Sequence, residues 1–360
     1  MRTNREHTQE RVQPLGVVVD WRGDATCRFN FPICGKIAFN SLDVTVLEDR
    51  LARHTRPFGI AFGCVGGGRY FLIFRRPKLS TDAPRVIEVG KCIYCRDSNT
   101  TELTREHVMP RALGGGLILR GASCRMHQRM THEFETDYLR SGIRIFRYIR
   151  GLPVGNKKER PTHLPLILDF GTHREARFVP VADYPDVLFM PIFKDAPGIF
   201  RDGQKGKAEI SHMRSCHNSD AFKKVLQSFK AQSFVIPGGV PEESFIRTLA
   251  KIAHGIAISE FGFRFEPLLL DIIEGNVSEA GWVIGKGSEL TKPERHNSHM
   301  FAHRIITEEG ISLIVITLHL FAGLMAPSYC LVAGAFDSNR PPPQPAWPEM
   351  AKITTSTQNG

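Results

Sequence analysis

The sequence predicts an α+β chain. A short Cys/His-clamped unit, residues 90–152, separates an N-terminal α/β block, 15–89, from a larger C-terminal block of strands and helices, 153–336. Three observations carry that expectation. Apolar runs of strand length recur on both sides of the clamp, among them Gly16 to Asp20, Leu164 to Phe170 and Val187 to Phe193. Two segments, 131–150 and 241–259, repeat their apolar residues at helical spacing. Two pairs of soft ligands, Cys92/Cys95 and Cys124/His127, stand at the ends of one stretch with two residues inside each pair.

Residues 1–14 are polar and charged, read as a mobile tail, and lack the apolar centre of a signal peptide. In the N-terminal block, Phe71 to Phe74 is a second strand-like run. A helix is expected from Ser41, with Val44, Leu47 and Leu51 on one face. The glycine run Gly63 to Gly68 lacks the Lys-Ser/Thr of a phosphate loop and reads as a tight turn. Pro77 and Pro84 mark a connector into the clamp.

After the clamp, 131–150 reads as one helix that Gly142 bends. Phe134, Tyr138, Ile145 and Ile149 form its core stripe, and Arg140, Arg144, Arg147 and Arg150 share another face. That basic face fits phosphate contact, with a plainly solvated face as the other reading. Pro- and Gly-rich text follows, and His212, Cys216 and His217 are expected in loops; one cysteine without a second ligand pair does not make a metal site. The next helix, 241–259, has Pro241 in its first turn and Glu242 and Glu243 at its positive end. Phe245, Leu249, Ile252 and Ile256 form its buried stripe, while Arg247, Lys251 and His254 are expected on a solvated face, with contact to a backbone phosphate as the other reading. A further helix is expected from Pro267 to Glu274, ended by Gly275. Strands at 311–320 and 328–334 explain the last apolar run better than a membrane span, because His319, Gly323 and Pro327 interrupt it. Residues 337–360 are Pro-rich and expected to be disordered.

The 360 residues are 42% hydrophobic and 23% charged, as in ordinary globular proteins, with a net charge of +10. Residues 91–160 hold 14 Lys/Arg against 7 Asp/Glu, so the excess is centred on the clamp and favours nucleic acid over a membrane. Of the eight cysteines, Cys27, Cys34, Cys64, Cys216 and Cys330 are scattered singly and read as lone thiols. That usage fits a reducing cytoplasm rather than a secreted disulfide framework.

Four ligands in two such pairs match a closed structural zinc site, which would staple a segment too short to bury a core of its own. Zinc does not account for Glu106-His107 between the pairs. Adjacent side chains on a strand point to opposite faces. A neutral imidazole at His107 suits a general base that deprotonates water, and the hard oxygen donor Glu106 suits Mg²⁺ or Mn²⁺ in phosphodiester hydrolysis.

The order CIYC, EHVMPRALGGG, CRMH and then a helix resembles the HNH endonuclease family in its zinc-stapled ββα-metal form, over about residues 90–150. The resemblance implies a small ββα unit between the two flanking blocks. It gives Glu106 as acidic metal ligand, His107 as general base, and Cys92, Cys95 and Cys124 as structural zinc ligands. Here the fourth zinc ligand is His127 in place of the usual cysteine. Gln128 stands where an Asn or His commonly binds the catalytic metal, and no asparagine lies between Gly116 and Cys124 to orient the base. His132, one helical turn on, is placed to complete the site, with Glu135 as a further candidate. The expected function is a metal-dependent endonuclease acting on DNA. The alternative is a zinc-stabilised nucleic-acid-binding module that has lost catalysis.

Overall fold

The computed structural model describes residues 16–19, 71–73, 85–97, 102–154, 160–201, 203–217, 219–288, 299–308 and 311–336. The helix expected from Ser41, the glycine run 63–68, the thiols Cys27, Cys34 and Cys64, and both tails lie outside them. The fold is mixed α+β with open sheets.

The β-branched and aromatic runs near the N-terminus form β1 (Gly16–Val19) and β2 (Phe71–Ile73). The clamp region follows as β3 (Arg85–Glu88), β4 (Leu103–His107), β5 (Leu117–Cys124), α1 (Arg125–Arg140) and α2 (Ile143–Ile149). β5 lies between its partners, parallel to β3 and antiparallel to β4. The turn from β4 to β5 accounts for its prolines and glycines. Pro110 leads into a 3₁₀ turn, Arg111–Leu113, which Gly114 ends at φ 94°, a left-handed conformation. Gly115 then passes so close to Met109 that a Cβ would stand 2.2 Å from its carbonyl oxygen.

Where one bent helix was expected over 131–150, there are two. α1 starts earlier, because Cys124 is extended (φ −74°, ψ 162°) and serves as its N-cap. It stops at Ser141, and Gly142 then donates its N–H to the Gly239 carbonyl at 2.8 Å. A Cβ on Gly142 would be 3.1 Å from that same oxygen.

The Pro-rich stretch contains β6 (His163–Asp169), β7 (Arg174–Pro180), β8 (Val187–Phe193), β9 (Ile210–His217), α3 (Ser219–Phe229) and β10 (Ser233–Pro237). In β6 the alternation is clean, with Leu164, Leu166 and Leu168 buried on one face. One sheet runs β1-β10-β6-β7, and β8 pairs with β9. His212, Cys216 and His217 therefore lie on strand β9, not in loops as expected.

The chain ends in α4 (Glu242–Phe261), β11 (Glu266–Pro267), α5 (Leu270–Glu274), β12 (Ile284–Lys286), β13 (Met300–Glu308), β14 (Ile311–His319) and β15 (Ser328–Phe336). Their sheet runs β11-β15-β14-β13-β2, with β12 also on β15. Pro267 belongs to β11, so the short helix starts later than expected, and Gly275 ends it at φ 117°. The late apolar run is the antiparallel pair β14–β15, and no helix among the described residues is long and apolar enough to cross a membrane.

The solvated face expected on α4 is not there. Every residue from Ser244 to Phe261 except Arg247 is buried, with Lys251 at 1% and His254 at 0% exposure. The helix is packed between β14 and β15 on one side and α1 on another, so no face is left for water. Its polar groups find partners inside: His254 Nε2 lies 2.8 Å from the Ile93 carbonyl, and burial brings its pKa down to about 4. Gly255 lets α4 approach the end of β4, since a Cβ there would meet Val108 Cγ1 at 3.1 Å. Lys251 lies one turn earlier on the same face.

Candidate functional site

Cys92 and Cys95 lie on a tight turn that local hydrogen bonds shape. The Arg96 amide donates to the Cys92 carbonyl at 2.9 Å, with Arg96 at φ 59°. Ile93 N–H to the Ala122 carbonyl, 2.8 Å, docks this turn on β5. Cys124 ends β5 and His127 sits in the first turn of α1, so the strand-to-helix junction delivers the second pair. Ligand atoms of all four residues lie within 4.8 Å of one another. His127 Nδ1 is 3.0 Å from Cys124 Sγ and 3.7 Å from Cys92 Sγ. Bonds of about 2.0–2.3 Å to a tetrahedral zinc would hold ligand atoms roughly 3.3–3.8 Å apart, so the donor set and its spacing suit such a metal. A Cys₃His cluster that can hold a metal such as zinc is thus assembled from the four residues the spacing singled out.

The surroundings orient the ligands. Tyr94 stacks on the His127 ring (centroids 5.3 Å apart, planes at 20°), and Glu274 Oε1 lies 3.8 Å from His127 Nε2. Burial pushes the Cys92 thiol up, but His127 and nearby backbone amides more than reverse this and bring it to about 6. Hydrogen bonding to Cys92 raises His127 to about 9 against the opposing effect of its burial. Burial and the neighbouring thiols raise Cys95 to about 11.

Glu106 and His107 end β4, and their side chains divide as strand alternation requires. Glu106 is buried and faces α4, where its Oε1 is 2.7 Å from Lys251 Nζ. Glu135, from α1, places its Oε1 at 2.7 Å from the same nitrogen. That contact is an ion pair out of hydrogen-bond alignment, since this Oε1 has no partner in hydrogen-bond geometry. Lys251 also donates to the His107 carbonyl oxygen. Three oxygens from β4 and α1 thus surround Nζ, two of them carboxylate oxygens paired with its charge. Burial pulls the Lys251 pKa down, yet Glu106 and Glu135 outweigh it and hold the pKa above 10.5, so the ammonium stays charged. Removing one partner from such a buried group costs about 3–5 kcal/mol, which makes the triad a fixed part of the interior.

His107 borders a groove of about 300 Å³ that Glu106, Gln128, His132 and Glu135 also line. The five residues singled out for the expected catalytic site therefore share one concavity. Burial, then the Lys251 charge, lowers the His107 pKa below its ordinary 6.5 despite the opposing Glu106. Its Nδ1 is enclosed without a hydrogen-bond partner among the described residues. Gln128 and His132 are exposed on α1, and His132 Nε2 lies 3.5 Å from Thr136 Oγ1. Burial raises the Glu135 pKa, with Lys251 opposing.

Sequence reasoning missed three residues here. Arg105 and Arg111 are exposed and line the same groove. Their adjacency to Glu106-His107 was the available signal. Lys251 had none, because 144 residues separate it from His107. One expected nucleic-acid contact is corrected. Arg147 is buried, and its guanidinium donates to the carbonyls of Ala112 (2.9 Å), Leu139 (3.1 Å) and Pro153 (2.8 Å), which leaves it no phosphate to bind. Arg140 and Arg144 are exposed, whereas Arg150 pairs with Asp186.

No protein-family model, curated protein or solved structure matches the chain.

Proposed function

We propose that the chain is a nuclease of the HNH kind that hydrolyses phosphodiester bonds in DNA, with His107 as general base. The observation that carries this reading is the His107 imidazole, kept neutral by burial and by Lys251 at the edge of an arginine-lined groove. The β4–β5 hairpin leading into α1, with the Cys₃His cluster at its junction, supports the reading.

Arg105 and Arg111 would hold the phosphate. His107 would take a proton from water, whose oxygen then bonds to phosphorus as the bond to the leaving sugar oxygen breaks. That oxygen takes its proton from His132 or from solvent. The resemblance also implies Mg²⁺ or Mn²⁺ on Glu106, with Gln128, His132 or Glu135 completing the set. Such an ion takes carboxylate oxygens at about 2.0–2.2 Å. Lys251 Nζ lies 2.7 Å from one oxygen of Glu106 and one of Glu135, so an ion between those two oxygens would stand on the ammonium. As arranged, the residues do not fit that ion.

The second reading, a zinc-stapled nucleic-acid-binding module without catalysis, is favoured by the same Lys251, which already neutralises the acidic pair. Incubation of zinc-loaded protein with supercoiled plasmid, with and without Mg²⁺ or Mn²⁺, separates them. The nuclease reading expects relaxed or linear product that His107→Ala abolishes. Binding without cleavage under every condition establishes the module instead.

A further inference from the structure

We propose that Lys251 is a built-in cation that takes the place of a divalent ion between Glu106 and Glu135. In the nuclease reading, on which this part rests, the groove then works without a catalytic metal. Lys251 comes from the middle of α4, is 1% exposed, and reaches three oxygens carried by β4 and α1. Lysine is among the residues least often fully buried, and an ammonium leaves water only for close, paired acceptors. Here the acceptors are two carboxylates and one carbonyl, the hard oxygen set that otherwise suits Mg²⁺ or Mn²⁺. Gly255, one turn along α4, sets how near the helix comes to the end of β4 and so where the ammonium sits.

A charge fixed on a helix differs from a bound ion in one decisive way. It cannot exchange with solvent. It also does not touch the groove's contents directly, because it is 1% exposed and enclosed by these oxygens. Lys251 is therefore a positioning residue: it anchors the His107 backbone through the carbonyl, holds Glu106 and Glu135 in place, and supplies positive charge beside the His107 ring.

Mn²⁺ titration of the zinc-loaded, full-length protein, followed by electron paramagnetic resonance of the free ion, tests the assignment. Wild type should bind no Mn²⁺ that Glu106→Gln removes. Lys251→Met, which keeps length and loses charge, should gain one site, at least roughly tenfold tighter than any in wild type, now that two carboxylates lack a cation. The double variant Lys251→Met/Glu106→Gln should lose that gain. A Glu106-dependent Mn²⁺ site in wild type would overturn the proposal, and so would a folded, zinc-containing Lys251→Met with no gain. If Lys251→Met does not fold, the wild-type and Glu106→Gln titrations decide alone. Failure of the two ideas is distinguishable. A protein inert on DNA with this Mn²⁺ behaviour removes the nuclease reading and leaves the cation. Cleavage that needs Mg²⁺ and a Glu106-dependent ion removes the cation and leaves the nuclease.

Discussion

His107 meets Lys251 twice, through its carbonyl oxygen and through the charge felt by its ring. The second effect has a measurable sign. A base acts in its neutral form, and burial and Lys251 move the pKa below 6.5. The pH at which cleavage falls to half its plateau should lie below 6.5; a midpoint at or above 6.5 would contradict this environment. Linkage runs the same way. The unfolded chain binds the proton more readily, so this group's share of stability is lost as pH falls below 6.5. At this scale the sequence was legible where chemistry is local. Ligand spacing within a turn singled out Cys92, Cys95, Cys124 and His127, which the fold brings into one cluster; Glu106 and His107, singled out by adjacency, end β4 side by side. Lys251 was illegible because a solvated lysine and a buried one look alike until a distant strand is packed against them.

The β4–β5 hairpin and α1 depend on what holds their junction. Cys124 and His127 bridge strand and helix, while Cys92 and Cys95 tie in the preceding turn, so a metal there would link the turn, β5 and α1. Cys95→Ser should lower bound zinc from one equivalent toward zero, and chelation should melt this unit before the rest of the chain. Metal analysis with hydrogen exchange across 90–140 checks both; protection unchanged after zinc removal would show that the staple is dispensable. The helices were legible in existence but not in extent. The arginine periodicity suggested one continuous face. The break at Ser141–Gly142, imposed by the close approach of Gly239, instead turns Arg147 into the interior. In α4 the apolar stripe was real, but so many elements cover the helix that its polar side had to be buried as well.

Across the whole molecule, the clamp region is not an isolated bead. β1 joins the sheet of β10, β2 joins that of β13, and α4 ties the groove to the sheet of β14 and β15. Pairing across such sequence distances leaves no local pattern to read, which is why the strand-like runs were visible and their partners were not. The charge excess of residues 91–160 does have a visible outlet in exposed Arg105, Arg111, Arg140 and Arg144. DNA affinity should fall steeply with salt. Arg140→Ala and Arg144→Ala should each lower the slope of log K against log salt by roughly 0.9 if each meets one phosphate. Arg147→Ala should leave the slope unchanged while weakening the fold. Equal slopes for all three variants would mean that this face does not carry the contact.

The proposed role of His107 as the base of a phosphodiester-cleaving groove turns on one rate. It is tested most directly by the single-turnover cleavage rate of an end-labelled DNA duplex, compared for wild type and His107→Ala at matched zinc content. The rate in the variant should be lower by roughly 10²-fold or more, the usual worth of a positioned general base, with binding of the duplex retained. Equal rates in the two proteins, or no cleavage by wild type on any duplex, would contradict it.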